Sequence, residues 1–134
     1  MIVIDTSAII AILLEEPDNK YLKEIIISQD CIMSSPTVTE CHCVMMRRRN
    51  NSHPLVISRF INSLQIDIIR FDESHSEISG LAYFKYGKGS GHPAQLNLGD
   101  TFSYALAKTR NIPLLFKGND FIHTDIIPAM PQAA

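Results

Sequence analysis

Four acidic residues, Asp5, Glu40, Asp100 and Asp120, carry the strongest hint of chemistry in this chain. Carboxylates a few ångströms apart raise one another's pKa, so four in one place are costly unless a cation shares the space. Hard divalent ions such as Mg2+ take oxygen ligands and keep waters or phosphate oxygens as the rest of their shell. An ion held in this way can activate water and neutralise charge developing on a phosphodiester, which is hydrolase chemistry. Each acid also has a structural explanation. Asp5 can cap a helix beginning near Ser7. Asp100 follows Asn97 at capping-box spacing. Asp120 belongs to the turn-like Gly118-Asn119-Asp120. Glu40 borders the apolar arc formed by Val38, Cys41, Val44 and Met45, where a solvated role would suffice.

Position separates the two readings. Ile2-Val3-Ile4 is a short continuous apolar run, as in a strand covered on both faces, and Asp5 follows it directly. Ala8 to Glu16 reads as a helix stopped by Pro17, and Asp18 as the cap of a second helix through about Ser28. Cys31 to Met33 reads as the second strand. Ser35-Pro36 opens a helix reaching Arg49 and ending at Asn50-Asn51, with Glu40 in its first turns. A helix from Pro54 to Leu64, a strand from Ile66 to Ile69 and a helix from Glu73 to Tyr86 follow. Gly87 to Pro93 reads as a mobile loop. Asn97 starts a helix through Arg110 with Asp100 in its first turn. Pro113 to Phe116 is the fourth strand, Asp120 lies just beyond it, and Asp125 to Ile127 is a marginal fifth. The tail after Pro128 is expected to fray. Alternating strands and helices predict a mostly parallel sheet of four to five strands with helices on both faces, and one domain over residues 1–134. Ligands in such sheets sit beyond the carboxyl ends of the strands. Asp5, Glu40 and Asp120 belong near that edge, and Asp100 joins them if its helix begins there.

Composition limits the alternatives. The 134 residues carry a formal net charge of −2, which is not the basic footprint of a protein that coats nucleic acid. Any phosphate contact must come from local cations. Arg47 is the leading candidate, seven residues after Glu40 and so on the same helix face. Arg48 projects toward the apolar arc and Arg49 elsewhere, while Lys85, Lys88 and Lys117 are further candidates. A cationic helix C-terminus is the plain alternative for the arginines. Three cysteines, an odd number, and a start that lacks signal-peptide character predict reduced thiols and a cytoplasmic address. No apolar run is long enough to span a bilayer. Cys41-His42-Cys43 lacks the second ligand pair that structural zinc needs. The five histidines are scattered, and Gly87–Gly91 is not followed by the Lys-Ser/Thr of a Walker loop.

Val3-Ile4-Asp5-Thr6-Ser7-Ala8, Glu40 preceded by Ser35 and Thr37, and Leu98-Gly99-Asp100 with Tyr104-Ala105-Leu106-Ala107-Lys108 resemble the PIN-domain family. The segment from Pro113 through Asn119-Asp120-Phe121 to Ile126 does so most specifically. With Gly87-Lys88-Gly89 and His92 to Asn97, the pattern is similar to the VapC subfamily, the toxins of type II toxin–antitoxin modules. The resemblance implies a three-layer α/β/α domain and an endoribonuclease using Mg2+ or Mn2+. It maps Asp5, Glu40, Asp100 and Asp120 onto the family's acids, and Thr6 or Ser7 onto a hydroxyl supporting the first. It also implies a homodimer and a cognate antitoxin that inhibits the active site. Asp125 competes with Asp120 for the fourth place, although Asn-Asp-Phe is the matching segment. Arg47 and Lys117 are the expected RNA contacts. Two rivals stand beside this reading. An aspartate-nucleophile phosphatase would have a second Asp where Ser7 stands. A degenerate module would bind RNA or a partner protein without catalysis.

Overall fold

The structure, a computed structural model, describes residues 1–48 and 53–130. Its elements run β1 (Ile2–Ile4), α1 (Thr6–Leu13), α2 (Asn19–Ile27), β2 (Cys31–Ser34), α3 (Ser35–Arg48), α4 (Pro54–Ser63), β3 (Asp67–Ile69), α5 (Glu73–Tyr86), α6 (Leu98–Arg110) and β4 (Leu114–Leu115). The strands form one parallel sheet in the order β3-β2-β1-β4.

The period of two along each strand divides the core. Ile2, Ile4, Cys31, Met33 and Leu115 face one cluster, built with Ile9, Leu22, Ile26, Cys41, Met45, Ile57 and Ile61 of α1 to α4. Val3, Ile32, Leu114 and Phe116 face the other, built with Ala82 and Tyr86 of α5 and Tyr104 and Leu106 of α6. Both faces are apolar over β1, β2 and β4 because both are covered, which is why those strands read as apolar runs, whereas the edge strand β3 is largely exposed. The result is three layers.

The change of face follows from the order of strands. From β1 through β2 to β3 the chain moves one way across the sheet, then returns past β1 to place β4 on its other side. Parallel crossovers are right-handed, so reversing the direction of travel moves the helices to the opposite face. The reversal leaves a crevice between the carboxyl ends of β1 and β4.

Several boundaries differ from the sequence reading. Helix α1 begins at Thr6 because Asp5 caps it, and Glu15, with φ of 53°, turns the chain out before Pro17. The expected fifth strand is a single bridge between Leu114 and Pro128. Beyond Pro128 the chain is still attached: the Ala129 N–H donates to the Leu114 carbonyl at 2.9 Å, and Ala129 and Met130 pack on the core. The glycine-rich loop is pinned where Lys88 N–H meets the Leu96 carbonyl (3.0 Å) and Leu96 N–H meets that of Tyr86 (2.8 Å). The expected helix end at Arg49, with Asn50-Asn51 after it, and the tail beyond residue 130 lie outside the described residues.

Leu115 is fully buried on the α1–α4 face. Leu115→Ala is expected to lower the unfolding free energy by about 2–5 kcal/mol, measured by urea denaturation. A loss below about 1 kcal/mol would contradict the packing described.

Candidate active site

The alternation that buries Val3 on the α6 side carries past the end of β1 to Asp5. Its carboxylate points the same way: Ser103 of α6 donates its hydroxyl to Oδ1 at 2.5 Å. Oδ2 accepts from the backbone N–H of Ser7 at 3.1 Å and from its hydroxyl at 2.7 Å. The Ser7 hydroxyl in turn accepts from the Lys117 N–H at 2.9 Å, tying the start of α1 to the chain just after β4. Thr37 stands behind Ser103 at 3.5 Å. Asp5 is therefore a helix cap and a crevice-lining acid at once.

Glu40 is brought in by α3, which starts directly at the end of β2. The Thr6 hydroxyl donates to its Oε1. Gly99 lies directly opposite it: a Cβ there would overlap the Glu40 carboxylate, which would have to swing aside. Asp100 stands in a capping box: its Oδ2 accepts from the Asn97 N–H and its own N–H donates to Asn97 Oδ1, both at 2.9 Å. Asp120 is exposed in the turn after β4, where Gly118 adopts φ of 102°. All four acids line one cleft of about 380 Å3, together with Thr6, Ser7, Glu16, Arg48, Asn97 and Lys117.

Burial raises the pKa of Asp5 even though Ser103 and Ser7 oppose it. Burial also raises Glu40, with the Thr6 hydrogen bond opposing and the Asp5 charge adding. Asp100 is pushed up to about 7, first by burial and then by the charge of Asp5, with smaller contributions from Asp120 and Glu40. These carboxylates feel one another, and among the described residues no three His, Cys, Asp or Glu side chains form a ready-made metal cage. A donor set made only of hard oxygens still fits Mg2+ or Mn2+, which keep part of their water shell.

Asp125 belongs to a different structure. It accepts from Tyr104 OH at 2.7 Å and from Lys108 Nζ at 2.6 Å, and these hydrogen bonds hold its pKa low despite partial burial. It is absent from the cleft lining, whereas Asp120 is part of it. Lys117 lines the cleft but its Nζ pairs with Glu16 at 2.8 Å and Asp18 at 3.1 Å. Arg47 lines the groove on the other side of Glu40, and Arg48, expected toward the apolar arc, is exposed and lines the acid cleft. Of the cysteines, Cys31 and Cys41 are buried and Cys43 is exposed. Ser103 escaped the sequence reading, and Thr37 and Gly99 entered it only as members of the family-like segments, with no role assigned. Ser103 lies 98 residues from Asp5, and only its place one turn beyond Asp100 on α6 hints at a shared face.

The raised pKa of Asp100 has a direction in stability. Between its ordinary value of 3.8 and about 7 the folded state holds a proton that the unfolded chain has released. The group's stabilising contribution is thus complete below about pH 4 and is lost as pH rises toward 7. With each pKa unit worth about 1.4 kcal/mol, Asp100→Asn is expected to stabilise the protein in EDTA at pH 8 by about 1–3 kcal/mol. The gap should close toward pH 4 in thermal or urea unfolding. An Asn variant no more stable than the parent at pH 8 contradicts the buried charge. Gly99→Ala should preserve helicity by circular dichroism while displacing Glu40, so that any hydrolysis dependent on the acid cleft falls at least about 10-fold, a loss of about 1.4 kcal/mol in transition-state stabilisation.

The PIN domain family model matches residues 2–127. Ribonuclease VapC42 of Mycobacterium tuberculosis is 44% identical over 128 residues, covering 95% of this chain and 98% of that protein. Among solved structures, VapC20 of M. tuberculosis, described as a sarcin–ricin loop cleaving toxin, superposes with a TM-score of 0.77 at 14% identity, covering 98% of this chain and 100% of that one. A chain of a toxin–antitoxin complex from Klebsiella pneumoniae gives a TM-score of 0.61 at 19% identity, covering 85% and 83%. The last two are likenesses of fold. The family match and the 44% identity carry the assignment: this chain belongs to the PIN-domain family, among its VapC ribonucleases.

Proposed function

We propose that this protein is a divalent-cation-dependent endoribonuclease and the toxin of a toxin–antitoxin pair. Asp5, Glu40, Asp100 and Asp120 hold Mg2+ or Mn2+ against a phosphodiester of RNA. One observation carries the reading: carboxylates from four separate parts of the chain line one cleft, with no thiol or imidazole among its walls in the described residues. The names of the curated relatives, ribonucleases throughout, support RNA as the substrate. The K. pneumoniae complex supports an antitoxin as partner. No helix among the described residues is long and apolar enough to cross a membrane. A homodimer in the cytoplasm completes the reading, and the three free cysteines suit a reducing compartment.

When bound, the cation lowers the pKa of a water and offsets charge on the phosphodiester. The chain's own residues supply position and proton transfer. Ser7 and Ser103 hold Asp5 turned into the cleft, and Asn97 holds Asp100. Thr6 orients Glu40, a carboxylate of raised pKa placed to take a proton from the attacking water. Among the described residues, Arg48 is the cleft cation offered to a phosphate, because the Lys117 ammonium is already held by Glu16 and Asp18.

Asp5→Asn is expected to keep the circular dichroism spectrum and to reduce EDTA-sensitive cleavage of total RNA at least about 100-fold, about 2.7 kcal/mol of transition-state stabilisation. It should also lose the rise in melting temperature that Mg2+ or Mn2+ gives the parent. Asp125→Asn should retain both properties. Full activity in Asp5→Asn with metal dependence unchanged would remove the cleft from the mechanism.

A further inference from the structure

We infer that the groove on the far side of Glu40 is a nucleobase subsite, seating the base of the nucleotide next to the scissile phosphate. The inference rests on the RNA-cleaving reading and adds to it a place for a base. Its floor and walls are Pro36, Cys43 and Arg47 of α3 with Leu98, Gly99 and Phe102 of α6, enclosing about 480 Å3.

Helix geometry separates this groove from the acid cleft and joins the two along one ridge. At about 100° per residue, the positions four and eight after Glu40 fall on one side of it, and those four before, three after and seven after fall on the other. The first set, Val44 and Arg48, lines the acid cleft. The second, Pro36, Cys43 and Arg47, lines the groove. Helix α6 divides in the same way, with Asp100 on the cleft and Leu98, Gly99 and Phe102 on the groove. Glu40 and Asn97 border both. A strand whose phosphate lies in the cleft therefore needs to pass only this ridge to place its neighbouring base in the groove.

The chemistry of the two hollows differs as a phosphate differs from a base. The cleft is lined mainly by carboxylates and hydroxyls, with Arg48 and Lys117 at its walls. The groove is mostly apolar, with Thr39, Asn97 and the Glu40 carboxylate along its edge and one cation, Arg47, at its side. Its aromatic member, Phe102, is half-buried and braced edge-to-face by Phe71 with ring centroids 5.3 Å apart, so its plane is fixed. Leu98 beside it is 64% exposed, a large apolar side chain left uncovered at the mouth of the groove. Fixed aromatic planes beside a cation are what single-stranded RNA bases use, stacking on the ring while the cation meets the backbone. The occupant that matches both the continuity with the cleft and the adjacent positive charge is a nucleotide.

The test uses the full chain and fluorescein-labelled single-stranded RNA ten-mers, in Ca2+ for binding and in Mg2+ or Mn2+ for cleavage. Phe102→Ala and Phe102→Leu are expected to weaken binding about 5- to 150-fold, the range of one lost base stack. Phe102→Tyr should restore it. An abasic residue beside the cleaved bond should cost the parent a similar factor and cost Phe102→Leu little, because the two changes remove the same contact. The cation-linked rise in melting temperature should stay intact in all three variants. If the parent cleaves and Phe102→Leu binds and cleaves as well as the parent, the subsite is overturned and the ribonuclease reading stands. If the variants change only the oligomeric state, measured by light scattering, the groove is a protein interface and the subsite is overturned. If the parent neither binds nor cuts RNA, both readings fall together.

Discussion

The constraint on which this molecule turns is the crowding of carboxylates at one end of a buried sheet. Asp5 and Asp100 are almost as hidden as the core, at 3% and 8% exposure, yet each must remain available to the cleft. Desolvation is the largest influence on both, and it opposes ionisation. Hydroxyls from Ser7 and Ser103 and amides from Thr6, Ser7 and Asn97 offset part of that cost. They do not remove it, since both pKa values stay raised. The protein therefore holds these groups in place against their own electrostatics, and the stability for doing so comes from the two apolar clusters that clasp the sheet.

The sheet does more than supply stability. With both faces covered, β1, β2 and β4 offer little polar surface, so functional groups must come from strand ends and helix starts. Asp5 follows β1, α3 begins with no loop after β2, and Lys117 to Asp120 follow β4. The reversal of strand order between β1 and β4 keeps helices from closing over that end. Helix α6 supplies the remaining acid because its N-terminus, not its C-terminus, meets the crevice. Its glycine at the second position lets the α3 carboxylate approach.

Much of this was legible in the residues themselves. Apolar runs marked β1, β2 and β4, the stretch from Glu73 to Tyr86 marked α5, and Asn97 marked the start of α6. The acids could be placed because each sits next to an element boundary. Three matters were not legible. Asp5 has the spacing of a cap, and nothing local says that Ser103, from the far end of the chain, completes its hydrogen bonds. Arg47 and Arg48 are one residue apart, and the ridge at Glu40 sends them to different hollows. A wheel drawn on α3 alone sets its apolar arc against the core, but cannot show that α6 opens a second wall opposite Glu40. Lys117 reads as a free cation until the fold brings Glu16 and Asp18 beside it.

The dual use of caps explains why bland and functional readings of the acids could not be separated residue by residue. Asp5 satisfies the first amides of α1, and Asp100 closes the box at the start of α6. Helix N-termini favour negative charge by roughly 0.3–1 kcal/mol where exposed. If capping were their whole role, both carboxylates would ionise more readily than usual, as the exposed Asp72 does at the start of α5, where His75 and Ser74 donate to it. Asp5 and Asp100 shift the other way under the same kind of hydrogen bonding. The difference is not the cap but the company: a cap at the surface is complete in itself, whereas these two are buried together and face two further acids. Structure alone gives no reason to gather them, and a positive charge bound between them does.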